Sequence, residues 1–307
     1  MSASTGETQG YDVIIVGGGP AGLSAALILG RCRRRVLVCD SGRYRNDAAV
    51  AMHGFLSRDG IAPPELRRLG RAQLEPYGVE IRDVAVADVR RDAKRFEVTL
   101  EGGERLRSRK LLLATGLVDR LPDLPGLAAM YGTSVHHCPY CDGWEAREQP
   151  IGVYGQGCTG VALALNMKTW SDDVILFTDG PASLSRSDAA RLARHGIGLR
   201  EERIARLEGR DGVLERIVLE DGSAVERRSL FLKTKQEQGS DLARKLRCKV
   251  TDERGVETAA KHEETTCEGV FVAGDASKDV LLAIMAAAEG ADAAFGVNCA
   301  LQEEDLL

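Results

Sequence analysis

The sequence predicts an α/β protein made of two Rossmann-like, three-layer units of the FAD/NAD(P) type. Three observations carry this. A pattern of strand, glycine turn, helix, strand and acid runs from Tyr11 to Asp40. The same pattern returns from Ile151 to Asp179, so the chain repeats one architecture. The remaining apolar runs, such as Lys110-Leu111-Leu112-Leu113, are short and end in small residues, as buried parallel strands do.

In the first unit Tyr11-Asp12-Val13-Ile14-Ile15-Val16 reads as a strand, followed by Gly17-Gly18-Gly19-Pro20-Ala21-Gly22 and a helical run from Leu23 to Leu29. Gly17 makes the tight turn, Gly19 lets the backbone approach a pyrophosphate, and Gly22 lets helix and strand pack closely. Pro20 and Ala21 open the helix, whose free N–H groups and dipole favour an anion. The strand Arg35 to Cys39 ends at Asp40, 18 residues beyond Gly22, where a carboxylate accepts hydrogen bonds from a ribose diol. A loop-like stretch from Ser41 to Gly60 carries Asn46 and His53, either of which could contact a bound ring system. An amphipathic helix from Pro64 to Tyr77 and strands between Val79 and Leu100 follow. The strand ending in Ala114-Thr115-Gly116 allows a ligand or a neighbouring backbone to come near. Pro122, Pro125 and Gly126 mark a crossing between domains.

The second unit reads Ile151 to Tyr154, Gly155-Gln156-Gly157-Cys158-Thr159-Gly160, a helix from Val161 to Thr169, and Val174 to Thr178 before Asp179. A helix from Ser183 to His195, strands around Asp221-Gly222, a buried strand ending in Gly274-Asp275, and an alanine-rich helix from Val280 to Leu301 complete the chain.

Composition excludes several classes. The 307 residues carry a net charge of -5, which suits neither nucleic acid nor an anionic membrane surface. No apolar run reaches transmembrane length. The first ten residues are small and polar and read as a loose tail rather than a signal. Eight cysteines in a chain of this size suit a cytoplasmic protein with one redox pair better than a disulfide scaffold. That pair is Cys138-Pro139-Tyr140-Cys141, followed at once by Asp142. Two thiols two residues apart close a disulfide on themselves and gain or lose two electrons as a unit. With no second CxxC and no histidine cluster downstream, zinc is the poorer reading, and no metal is expected. Asp142 is positioned to move the proton that accompanies exchange, and His136 and His137 are further proton carriers, imidazole being the side chain suited to that role around neutral pH. Cys32, Cys39, Cys248, Cys267 and Cys299 read as small apolar residues.

Taken together, these motifs resemble the low-molecular-weight thioredoxin reductase family of FAD-dependent disulfide oxidoreductases. The resemblance spans nearly the whole chain. It implies FAD on the first unit, with Asp275 holding the ribityl chain, and a second unit inserted into the first. The expected division is 1–118 and 238–307 for the FAD domain and 119–237 for the inserted domain carrying the CxxC. It also implies that Cys141 faces the flavin and forms the charge-transfer thiolate, that Cys138 exchanges with a substrate disulfide, and that the enzyme is a homodimer. The implied partner is a thioredoxin-like protein or a small dithiol or disulfide.

Two departures qualify this. Where NADPH-using members carry a basic cluster, the chain reads Phe177-Thr178-Asp179-Gly180-Pro181, and a carboxylate there repels a 2′-phosphate. The usual Arg-Gln pair after the Gly-Asp motif is replaced by Ala276-Ser277-Lys278-Asp279. Use of NADPH is therefore placed in doubt, leaving NADH or no nicotinamide. The segment His53-Gly54-Phe55-Leu56-Ser57-Arg58-Asp59-Gly60 is similar to a branch with small-molecule dithiol oxidases and NADPH-independent, including ferredoxin-linked, proteins. A thioredoxin reductase-like enzyme, an oxygen-dependent dithiol oxidase and a flavin-binding redox sensor are the readings that remain.

Overall fold

The fold follows from strands too apolar to face water on either side. The computed structural model describes residues 10–251, 255–259, 262–277 and 280–307. The N-terminal tail (residues 1–9) and Lys278-Asp279 of the segment after Asp275 lie outside them. The chain divides into two compact units. One comprises Met1–Asp47, Pro64–Val118 and Glu237–Leu307, and the other Ala48–Pro63 and Asp119–Gln236.

In the first unit Tyr11–Val16 is the central strand. It pairs in parallel with Val36–Cys39 on one side and with the C-terminal half of Arg105–Leu113 on the other. Glu80–Arg82 and Val270–Val272 extend the parallel sheet at its two ends. The N-terminal half of Arg105–Leu113 pairs instead with Arg95–Leu100, which pairs with Val86–Asp92, both antiparallel. Alternate side chains feed two cores, because a strand's period is two. Ile14, Leu37, Leu111 and Phe96 lie on one face, and Ile15, Val38, Leu112 and Phe271 on the other.

The second face is covered by two helices, Pro20–Arg31 and Ala283–Leu306. Their contact is close because small residues meet there: a Cβ added at Gly290 would lie 2.0 Å from the carbonyl oxygen of Ala21. The last helix begins at Ala283 rather than Val280 and runs five residues beyond Leu301, since its polar end, Gln302 to Asp305, stays helical and pairs with Arg109, Lys110 and Arg34.

The second unit repeats the design with a five-stranded parallel sheet. In order its strands are Gly198–Arg200, Val174–Phe177, Ile151–Tyr154, Ser229–Leu232 and Val135–His136. An antiparallel sheet of Ile204–Arg210, Val213–Leu219 and Ala224–Glu226 packs through Leu207, Leu214 and Ile217. The segment Ala48–Pro63, counted with the FAD domain on sequence grounds, packs with this second unit. Gly132, at φ +84°, brings its Cα so near the carbonyl of Ala48 that an added Cβ would lie 2.2 Å from that oxygen.

Candidate active site

The glycine turn of the first unit is closed by backbone contacts. Gly17 has φ +112°, and an added Cβ would sit 2.2 Å from the carbonyl oxygen of Ala114. At Gly22 the same atom would sit 1.9 Å from the carbonyl oxygen of Gly17. Gly19 is different, since a Cβ there meets no atom within 4 Å. It is the N-cap of Pro20–Arg31, with Pro20 in the first turn and no side chain capping the free N–H groups. An open, uncapped helix start above a turn too tight for side chains fits a pyrophosphate.

Asp40 is almost fully buried beneath this turn, and a Cβ on Gly18 would lie 2.1 Å from its Oδ2. It accepts hydrogen bonds from the Tyr44 hydroxyl, from Arg71 Nη2 at 2.6 Å and from the Gly42 amide at 3.1 Å. Burial alone would raise the carboxyl pKa, but the Tyr44 and Arg71 hydrogen bonds outweigh it and hold the group below the usual carboxylate range. Tyr44, buried and donating to Asp40, is pushed up to about 12.

The other expected residues of this unit gather at the ends of the central strands. Gly116, at φ +62°, turns the chain after Ala114-Thr115. Gly239 packs against it: its amide donates to the Gly116 carbonyl at 2.9 Å, and an added Cβ would lie 2.2 Å from that of Thr115. Gly274 donates its N–H to Glu289 Oε2 at 2.9 Å, and Asp275 pairs with Arg45 at 3.0 Å. Asn46 Oδ1 is 3.4 Å from Arg67 Nη1. His53 belongs to the second unit, where its imidazole lies 3.5 Å from Glu145 and 3.6 Å from Asp59. Glu289 and Gly239 escaped the sequence reading. The one signal for Glu289 is a single acid in the alanine-rich run Ala286-Ala287-Ala288-Glu289-Gly290.

The second unit carries the sulfur centre. Cys138 and Cys141 form a disulfide with their Cα atoms 5.3 Å apart. Cys138 is the N-cap of a single helical turn, Pro139–Asp142, and its carbonyl accepts from the amides of Cys141 and Asp142 at 3.2 Å. One turn has little macrodipole, so no long helix stands behind the sulfur pair. Gly143 is buried against Trp170, whose ring would lie 2.7 Å from an added Cβ. Trp170 in turn meets Tyr140 edge-on at 5.9 Å.

Of the two histidines it is His136 that meets Asp142, with Nδ1 and Oδ1 3.3 Å apart. His136 is buried on the strand Val135–His136, with its ring 5.2 Å from that of Phe231. His137, expected alongside His136 as a catalytic proton carrier, instead has its Nδ1 2.7 Å from the Tyr131 hydroxyl. His136 is the last residue of its strand, whereas His137 lies one residue beyond it and stacks on Tyr131.

Two nucleotide-type folds, one with an open anion cradle and one bearing a CxxC disulfide beside a His–Asp couple, define a flavin-type disulfide oxidoreductase. The chain belongs to the pyridine nucleotide-disulphide oxidoreductase family, which it matches over residues 11–290. It is 36% identical to "Thioredoxin reductase tcpT" of Claviceps purpurea, over 86% of each chain. The crystal structure of HlmI superposes with a TM-score of 0.93 at 38% identity, covering 97% of this chain and 95% of that one. The crystal structure of an oxidoreductase from Agrobacterium tumefaciens does so at 0.90 and 34% identity, covering 96% and 99%. Enzymes of this thioredoxin reductase-like family use FAD, usually with NAD(P)H as partner, and the cradle at Gly19 suits that cofactor.

Two expected outcomes test the cradle. Gly19→Ala should cost the apoprotein no more than about 1 kcal/mol, the loss of a favoured N-cap residue, because the Cβ enters open space at an ordinary φ, while FAD affinity falls at least tenfold. Thermal denaturation and flavin titration measure the two separately. Asp40 has a lowered folded pKa, so its contribution to stability is present above the unfolded-state value of about 3.9 and is lost as pH falls through the folded value. The Tm gap between the wild type and Asp40→Asn should therefore be full near neutrality and shrink below about pH 4.

Proposed function

We propose that the Cys138–Cys141 couple exchanges an electron pair with an external dithiol or disulfide, and that the inserted unit does not take NADPH. The enzyme is an FAD-dependent thiol–disulfide oxidoreductase by family. When bound, FAD supplies the two-electron acceptor or donor that the disulfide needs. The observation that carries the reading is the disulfide itself, with the His136–Asp142 couple at the residue after Cys141.

In the direction of dithiol oxidation, a substrate thiolate attacks Cys138 Sγ and the Cys138–Cys141 bond breaks, leaving the electron pair on Cys141 as thiolate. The second substrate thiol loses its proton to Asp142 Oδ1, with His136 Nδ1 sharing it, and attacks the mixed disulfide. The substrate leaves as a disulfide, and Cys138 and Cys141 are left reduced by two electrons. Reduction of a partner disulfide is the same sequence reversed. Cys141 is the sulfur assigned to the flavin side and Cys138 the one assigned to exchange.

Support for the nicotinamide reading comes from the rim of the second glycine turn. Asp179 Oδ1 accepts the Ile204 amide at 2.8 Å, so the acid that would grip a ribose is engaged with its own fold. Glu201 Oε1 accepts the Ala182 amide at 2.7 Å, adding a second carboxylate where a 2′-phosphate would need cations. This favours a dithiol as reductant, with dioxygen as final acceptor leaving as hydrogen peroxide. Ferredoxin is an alternative donor, and a thioredoxin-like protein or a small dithiol is the partner on the sulfur side.

A homodimer is proposed through the last helix, where Phe295 and Met285 are exposed. A cytoplasmic setting is proposed from the free thiols at Cys32, Cys39, Cys158, Cys248, Cys267 and Cys299. No helix among the described residues is long and apolar enough to cross a membrane.

Anaerobic mixing of the FAD-loaded protein with NADPH, NADH, reduced ferredoxin or a dithiol tests the reading. A dithiol should bleach the flavin within turnover time and NADPH should not. Bleaching by NADPH at catalytic speed would refute the assignment of Asp179. In Cys138→Ser, dithiol-driven bleaching should fall at least a hundredfold while FAD stays bound, and full speed would remove the mechanism.

A further inference from the structure

Outside the disulfide centre, two more cysteines flank one threonine inside the FAD unit. Cys248 follows the short helix Leu242–Lys245 and is buried in the core cluster that includes Leu242, Ala243 and Val272. Cys267 packs against the same cluster and stays partly exposed. Both bracket one side chain. The Cys248 Sγ lies 3.4 Å from Thr265 Oγ1, and the Cys267 amide donates to the same oxygen at 3.1 Å. Thr265 Oγ1 also lies 3.2 Å from the Cys267 carbonyl, which closes a tight turn around the threonine. Burial pushes the Cys248 thiol pKa up, the Thr265 hydrogen bond works against it, and the neighbouring Cys267 thiol adds to the rise.

The two sulfurs differ in a useful way. Arg91 Nη1 sits 3.9 Å from Cys267 Sγ, while its Nη2 pairs with Glu268 at 3.1 Å. A guanidinium there stabilises negative charge developing on the accessible sulfur. Cys248 instead faces the neutral Thr265 hydroxyl and is shielded from solvent, the situation of a resolving thiol rather than an attacking one.

We propose that Cys248 and Cys267 are a second thiol pair, separate from the exchange centre, that closes to a disulfide under peroxide. The Cys267 thiolate attacks one oxygen of hydrogen peroxide, the O–O bond breaks, and Cys267 becomes a sulfenic acid as hydroxide leaves and is protonated to water. The Cys248 thiol then attacks that sulfur, and a second water departs. Two thiols are oxidised by two electrons and one peroxide is reduced to two waters. The bond ties the Cys248 turn to the segment entering Val270–Val272, the strand that delivers Gly274 and Asp275. The pair thus makes the FAD unit a target of peroxide, independently of what Cys138 and Cys141 do.

Peptide mapping of the full chain under non-reducing conditions, before and after peroxide treatment, tests this. A linked Cys248–Cys267 peptide should form, about 2 Da lighter than its two reduced parts, with two fewer free thiols in the native protein. In Cys248→Ser, the sulfenic acid on Cys267 should become trappable by dimedone. Cys267→Ser should abolish the link and leave dithiol-driven flavin bleaching unchanged. Wild-type protein in which Cys267 stays reduced, or is oxidised to the sulfinic acid without a link, would overturn the proposal, and that result needs no variant to fold.

Discussion

Backbone approaching backbone more closely than any side chain permits is the constraint on which this molecule rests. Gly17, Gly22 and Ala114 meet within the space of one missing methyl group, and Gly290 meets Ala21 in the same manner. Those contacts pin the start of Pro20–Arg31 against the sheet and leave Gly19 facing open space. The anion cradle is thus a by-product of close packing elsewhere. Asp40 reinforces it from below: a buried carboxylate against Gly18, neutralised by Arg71 and hydrogen-bonded by Tyr44, holds the turn to the second strand.

The same device appears in the inserted unit, but to another end. Gly155 and Gly160 repeat the close approach, with an added Cβ on Gly160 2.6 Å from the Gly155 carbonyl carbon. Here the acid closing the fingerprint is spent on the Ile204 amide. What the unit offers instead is the sulfur pair at the end of Val135–His136, braced by Trp170 and Phe231. The unit thus keeps the close packing of a nucleotide fold and carries the disulfide just beyond one of its strands.

Much of this was legible in the sequence because glycine spacing and strand–helix alternation are local signals. Gly17, Gly22, Asp40, the CxxC and both strand–turn–helix units could be read directly. What could not be read depends on contacts between distant segments. Ala48–Pro63 joins the second unit through Gly132 and the His53–Glu145 contact, neither of which leaves a mark in the loop's composition. The choice between His136 and His137 turns on where the short strand Val135–His136 ends, and a pair of adjacent histidines does not disclose it. Short polar strands such as Ile204–Arg210 were hidden by their charges, the exposed Arg206 and Arg210 and the half-buried Glu208. Cys248 and Cys267 read as small apolar residues until Thr265 brought them together.

The central claim is that one flavin and one sulfur couple share electrons within each chain. Anaerobic reductive titration of the purified FAD-loaded protein addresses it most directly. The wild type should consume two electron pairs per flavin before reduction is complete, and a variant lacking both Cys138 and Cys141 should consume one. Uptake of a single pair by the wild type, equal to that of the variant, would contradict the claim.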